Sequence, residues 1–120
     1  MSKAPSWEYL KERLEDVSLL NSAVPIVYGG VVVGLAVPVG GKRRGGCVAL
    51  PTLRCCHEAV KQLKNTPGFP NLRIVKGGRE YPPNVEWGEQ QPASDDDAVR
   101  GRFFGYSEPA IAKFVTEHAW

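Results

Sequence analysis

The sequence predicts an α+β fold with a largely antiparallel sheet, and three observations lead there. Apolar residues recur at helical spacing near the start, in the middle and at the end of the chain. Between these stretches lie short β-branched runs joined by glycine turns, too close together for parallel crossovers. The 120 residues hold no internal repeat and no linker long enough to divide them, so residues 1–120 form a single domain. The expected order is α-β-β-β-α-β-β-β-α, with N-terminal, central and C-terminal helices.

Each element has a local reason. A helix is expected from Ser6 to Asp16, capped by Ser6, with Glu8 favouring its N-terminal dipole and Trp7, Leu10, Leu14 and Val17 inward. Val24 to Tyr28 and Val31 to Val39 read as a hairpin, because Gly29-Gly30 supplies the positive φ of a two-residue turn. In the second strand Val31, Val33, Leu35, Val37 and Val39 share one face, and Pro38 marks its end or a sheet edge. The run Cys47 to Leu50 is the third strand. Thr52 caps a helix to about Asn65, whose inward face is Leu53, Cys56, Val60 and Leu63, and Pro67-Gly68 stops it. Leu72 to Val75 and Val85 to Trp87 are shorter strands, and Arg102 to Tyr106 reads as the last. Ser107 caps the final helix, with Pro109 in its first turn and Ile111, Phe114 and Val115 facing inward.

Composition excludes several classes. With 42% apolar and 23% charged residues the chain is globular rather than disordered. Three cysteines, two of them adjacent, make no disulfide framework and suit a reducing compartment. Residues 17–41 carry no charge, a run long enough to span a bilayer, but Pro25, Pro38, Gly29 and Gly30 interrupt it and valine dominates it. A hairpin explains the run better than a membrane anchor. Glu8, Glu12, Glu15 and Asp16 sit where a signal peptide would be cationic, so the expected setting is cytoplasmic.

The net charge of +2 conceals a segregation. Residues 17–79 carry nine bases against Glu58 alone, whereas residues 80–97 carry six acids and no base. A basic middle of this kind attracts phosphates if its side chains converge and the acidic segment leaves them open. The loop Gly40 to Gly46 concentrates the signal: two glycine pairs let backbone approach a ligand, and Lys42, Arg43 and Arg44 can grip an anion. It is not a phosphate-binding Walker loop, since Ala36 and Arg43 stand where that pattern needs glycine and a hydroxyl residue. A flexible, solvated hairpin loop is the simpler reading.

Other constellations carry less. Arg100 to Tyr106 departs from the aromatic strand of an RNA-recognition motif at its first aromatic position, where Arg102 stands. In Cys55-Cys56-His57, neighbours point about 100° apart on a helix, so Cys56 and His57 cannot pair as nucleophile and base, and Cys56 is expected to pack as a small apolar residue. No cysteine or histidine spacing suits zinc, and Asp95-Asp96-Asp97 reads as a solvated turn. No catalytic residue, metal or cofactor is therefore expected.

Three stretches, VPVGGKRRGG (37–46), PGFPNLRI (67–74) and VEWGEQQPASDDDAVRGRFFGYSEPAIAKF (85–114), resemble a small uncharacterised protein family of actinobacteria and their phages and mobile elements. The resemblance implies such a source and a cytoplasmic setting, and it assigns no activity to any residue.

The leading expectation is a non-enzymatic module for an anionic partner, either nucleic acid or an acidic protein surface. Its contacts would be Lys42, Arg43, Arg44, Arg54, Lys61, Lys64, Arg73, Lys76 and Arg79. The alternative is a phage- or plasmid-type accessory protein that binds and modulates a host protein through exposed Trp87, Phe104, Tyr106 and Trp120.

Overall fold

A central antiparallel strand, β5 (Asn84–Gly88), lies between β3 (Gly45–Ala49) and β4 (Arg73–Val75). A separate hairpin, β1 (Val24–Tyr28) with β2 (Val31–Ala36), completes the β structure. Around them are α1 (Trp7–Arg13), a 3-10 helix (Val17–Ser22), α2 (Leu53–Leu63), α3 (Asp97–Phe103) and α4 (Glu108–Glu117). These come from a computed structural model, which describes residues 7–117. Ser6 and Trp120, expected as a cap and an anchor, lie outside the described residues.

The α+β class and the antiparallel pairing hold, but the last strand does not. Arg102 and Phe103 belong to α3. The Asp96 carboxylate accepts hydrogen bonds from the Ala98 and Val99 amides, which starts a helix, and Gly105 at φ +77° ends it just beyond Phe104. Asp95-Asp96-Asp97 is therefore a helix start and not merely a solvated turn. The first helix also stops early: the Glu15 amide donates to the Gly105 carbonyl at 2.8 Å, and Leu14 bridges to Tyr106. The 25-residue uncharged run becomes the 3-10 helix and the hairpin. Among the described residues no helix is long and apolar enough to cross a membrane.

Helix α2 forms as expected. Thr52 Oγ1 accepts the Cys55 amide at 3.2 Å, and Asn65 at φ 67° takes the left-handed conformation past the C-cap. Its inward face is shifted, however: Cys55, Cys56, Ala59 and Leu63 are buried, while Leu53 is exposed. The stripes on α1 and α4 are likewise narrower than expected. Trp7, Val17, Phe114 and Val115 are exposed, leaving Leu10, Leu14 and Ile111 buried.

Two apolar clusters result. The larger joins Ile26, Val48, Leu63, Phe69, Val85 and Trp87 between α2 and the two sheets; the smaller holds Leu10, Leu14, Leu20 and Val37. β2 ends at Ala36 because Pro38 has no amide hydrogen, and the chain then crosses from one cluster to the other, with the Val39 amide donating to the Gly68 carbonyl. Alternation holds over the second half of β2, and the face of small residues is the inner one: Gly34 and Ala36 are buried, Val33 and Leu35 half-buried, and Val31 and Val32 exposed. A Cβ on Gly34 would lie 2.7 Å from Val48 Cγ2, so this glycine admits the second sheet.

The segment Gly40 to Gly46 is a tight turn that runs into β3. Gly40 and Arg43 exchange backbone hydrogen bonds in both directions, at 2.9 and 3.1 Å, and Gly45-Gly46 opens β3. A Cβ on Gly46 would meet the Trp87 ring at 2.7 Å, and one on Gly45 would meet Phe103 Cζ at 2.5 Å. The second glycine pair thus makes room for two core aromatics rather than for a ligand.

Candidate functional site

The three cations of the Gly40 to Gly46 turn have different fates. Lys42 is exposed and lies 3.6 Å from Glu15, and Arg44 forms a forked ion pair with Glu89, Nε reaching both carboxylate oxygens at 3.1 Å. These two side chains line a groove of about 620 Å³ with Arg102 and Glu108, which are themselves paired at 2.9 Å. The pairing is mutual: hydrogen bonds from Arg44 and Arg102 hold the Glu89 and Glu108 carboxyls below their usual range, and those carboxylates raise both guanidiniums. The groove is charged but internally neutralised.

Arg43 is turned inward and is 6% exposed. Its Nη1 donates to the Phe104 carbonyl at 2.9 Å and its Nη2 to the Val37 carbonyl at 3.4 Å, while Nε has no partner. Loss of water pulls this guanidinium below its ordinary range, opposed by the nearby Tyr106 and Cys47. It is not the surface contact its place in the sequence suggested.

The remaining basic residues divide in two. Arg73 is built into the sheet: it pairs with Glu86 at 3.3 Å and donates to the Gly88 and Glu89 carbonyls, both at 2.9 Å. Lys61 lies 3.5 Å from Glu58, one turn back on the same helix. Arg54, Lys64, Lys76 and Arg79 are exposed, and among the described residues none is paired with a carboxylate. Arg54, His57 and Lys61 follow one another at steps of three and four on the solvent face of α2, and Lys64, exposed too, is the residue that caps its C-terminal end. Lys76 and Arg79 lie between β4 and β5, in a segment whose end meets the approach to α2, the Leu50 amide donating to the Pro83 carbonyl at 3.0 Å.

The aromatic set is corrected at one point. Trp87 is fully buried, its indole N–H bonded to the Val37 carbonyl, so it is no surface anchor. β5 occupies the middle of its sheet, and the side of it carrying Val85 and Trp87 faces the core. Phe104 and Tyr106 are half-buried, their ring centroids 6.1 Å apart. The thiols of Cys55 and Cys56 are buried while His57 is exposed, so Cys56 and His57 do point apart. Among the described residues no group of acids, cysteines and histidines is arranged to hold a metal.

Sequence reasoning missed three residues that shape these surfaces: Tyr9, Cys47 and Arg102. Tyr9 and Cys47 meet beside Arg43 around a cavity of about 140 Å³. Arg102 was assigned to a strand, and the Asp96 cap was the signal that would have placed it on a helix.

The fold and the placement of its charged side chains define a small α+β domain. Over residues 1–120 the chain matches the model of a family of unknown function, DUF6302, and it belongs to that family. Comparison with curated proteins and with solved structures returns no match.

Proposed function

We propose that this protein is a non-enzymatic module that binds a nucleic acid by its phosphates, and that the solvent face of α2 makes the contact. The observation that carries this reading is the row Arg54, His57 and Lys61 on one face of α2, continued by Lys64 at its C-cap, all exposed. From Arg54 to Lys61 the helix rises about 10 Å, with Lys64 beyond its end, whereas a duplex presents one phosphate charge per roughly 1.7 Å of axis. Several phosphates therefore fall within reach of three mobile cations. The opposite side of α2 is buried in the larger cluster, which holds the row rigidly outward. Glu58 is the one acid on the helix, and its exposed pairing with Lys61 is weak enough for a phosphate to displace. Lys42 and Arg44, by contrast, already hold carboxylates and are secondary to this surface.

The test is a titration of fluorescent duplex DNA at several salt concentrations. The triple variant R54A/K61A/K64A should bind more weakly, and its salt slope should fall by up to about three phosphate contacts. The pair K42A/R44A should leave that slope within about one contact of the parent. An unchanged slope in the triple variant refutes the α2 surface. Equal binding of a polyglutamate peptide and DNA would assign the face to acidic protein instead.

A further inference from the structure

The least expected feature of the molecule is a buried cation without a counter-charge. Arg43 is 6% exposed, and among the described residues no carboxylate lies within ion-pairing distance of it. An isolated charge in a protein interior is strongly penalised, and fixed carbonyl dipoles and the Phe104 ring, whose centroid lies 5.9 Å from the guanidinium carbon, offset that only in part. Of the five N–H donors of its guanidinium, two reach carbonyls, and one of those bonds is long at 3.4 Å. The side chain is also clamped: a Cβ on Gly46 would lie 2.5 Å from its Nη2, and one on Gly105 would lie 2.6 Å from its Cβ. The backbone of β3 and of the end of α3 therefore packs directly against it.

Arg43 lines a cavity of about 140 Å³ together with Tyr9, Leu35, Cys47, Phe104 and Tyr106. The lining includes no acidic side chain. The two neighbours whose charge would act on Arg43 are both shifted toward their neutral forms: burial raises the Cys47 thiol and the Tyr106 phenol, and in each case this outweighs the pull of Arg43. Cys47 belongs to this cavity even though its outer side is open to solvent. The walls are otherwise aliphatic and aromatic, and the volume is of the order that accepts a benzene-sized molecule. A second cavity of about 230 Å³ shares Tyr9, Phe104 and Tyr106 and opens toward Arg13 and Arg100.

We propose that this cavity binds a small monocarboxylate with a compact apolar body, its carboxylate against the Arg43 guanidinium and its body among Leu35, Phe104 and Tyr106. A carboxylate supplies the missing counter-charge and accepts two N–H bonds from one guanidinium in a single plane. Phosphate, with up to two charges and four oxygens to satisfy, suits so apolar a lining poorly. The site shares no residue with the α2 face, so either can stand if the other fails.

Benzoate is the probe, with benzyl alcohol as its uncharged counterpart and inorganic phosphate as the competing oxyanion, all at matched ionic strength. Two readouts are taken on the full chain: the melting temperature, and the binding heat by titration calorimetry. At ten times its Kd, benzoate should raise Tm and give a saturable binding heat, because only the unliganded fraction unfolds. Benzyl alcohol and phosphate should do neither. Arg43→Met should abolish the benzoate effect. Should that variant fail to fold, Leu35→Phe fills the cavity from its half-buried position, leaves Arg43 and Cys47 in place, and should abolish binding as well. Equal effects of benzoate and benzyl alcohol, stronger binding of phosphate, binding surviving in Leu35→Phe, or no effect of benzoate on the parent protein would each overturn the assignment.

Discussion

The indole N–H of Trp87 donates to the main-chain carbonyl of Val37 at 3.0 Å, and the two residues are 0% and 1% exposed. This bond joins the two apolar clusters, since Trp87 belongs to the larger and Val37 to the smaller. The same carbonyl also receives the long bond from Arg43. Trp87→Phe should therefore remove indole volume and the shorter of two bonds to a buried acceptor. The expected loss is about 2–4 kcal/mol in urea unfolding. A change under about 0.5 kcal/mol would show that the clusters do not depend on this link.

Gly101 of α3 lies under Ile111 of α4, where a Cβ would be 2.9 Å from Ile111 Cγ1. An added methyl therefore has to push the helices apart, although alanine by itself favours a helix over glycine by up to about 1 kcal/mol. Overpacking of this kind costs about 1–3 kcal/mol, so Gly101→Ala should destabilise on balance. Ile111→Ala leaves a hole at the same place. The double variant should lose less than the two single losses combined, by at least about 0.5 kcal/mol, in a double-mutant cycle. Strict additivity would mean that the two positions do not press on each other.

Legibility in the sequence followed how local the cause was. The Gly29-Gly30 turn, the Thr52 cap, the stop after α2 and the Ser107 start of α4 all depend on a few adjacent residues, and each was readable. The helix over 97–103 was misread because Phe103, Phe104 and Tyr106 carry a strand-like composition that outweighed the Asp96 cap. Charge order misled for a different reason. Arg44 and Arg73 meet Glu89 and Glu86 only because β5 returns beside β3 and β4, a pairing that no local pattern encodes. Burial of Arg43 needed the three-dimensional clamp of Gly46 and Gly105. The one-sided placement of the α2 cations follows from helical spacing, but only the structure shows which side of α2 the core covers.

The ion pairs of the groove set a sign for acid sensitivity. Hydrogen bonding from Arg44 and from Arg102 places the folded-state pKa of Glu89 and Glu108 below that of an unfolded glutamate, about 4.3. Their contribution to stability is accordingly present above about pH 4.3 and disappears as pH falls through the folded values. Both pairs are exposed, so the contribution is small and shrinks with added salt. Carboxyl titration by NMR should give both residues midpoints under about 4.3, and Arg44→Ala should return Glu89 toward it while leaving Glu108 in place. A Glu89 midpoint indifferent to Arg44→Ala would contradict the fork.

The Asp96 cap connects the acidic segment to the buried arginine. Its Oδ1 takes the Ala98 amide at 2.8 Å and the Val99 amide at 3.4 Å, and the helix it starts ends at the Phe104 carbonyl, which holds Arg43 Nη1. α3 has only seven residues, too few to stand alone, so loss of the cap should spread along all of it. Asp96→Ala should cost about 1 kcal/mol, and Asp96→Asn should cost less because its side-chain oxygen still caps. Asp95→Ala, one position earlier and exposed, should stay within about 0.5 kcal/mol of the parent. Native-state hydrogen exchange gives the sharper measurement: in Asp96→Ala the Phe104 amide, bonded to the Arg100 carbonyl, should exchange faster along with Val99. Faster exchange confined to Ala98 and Val99 would mean that α3 is held by Phe103 and Gly101 packing and owes its far end nothing to its start.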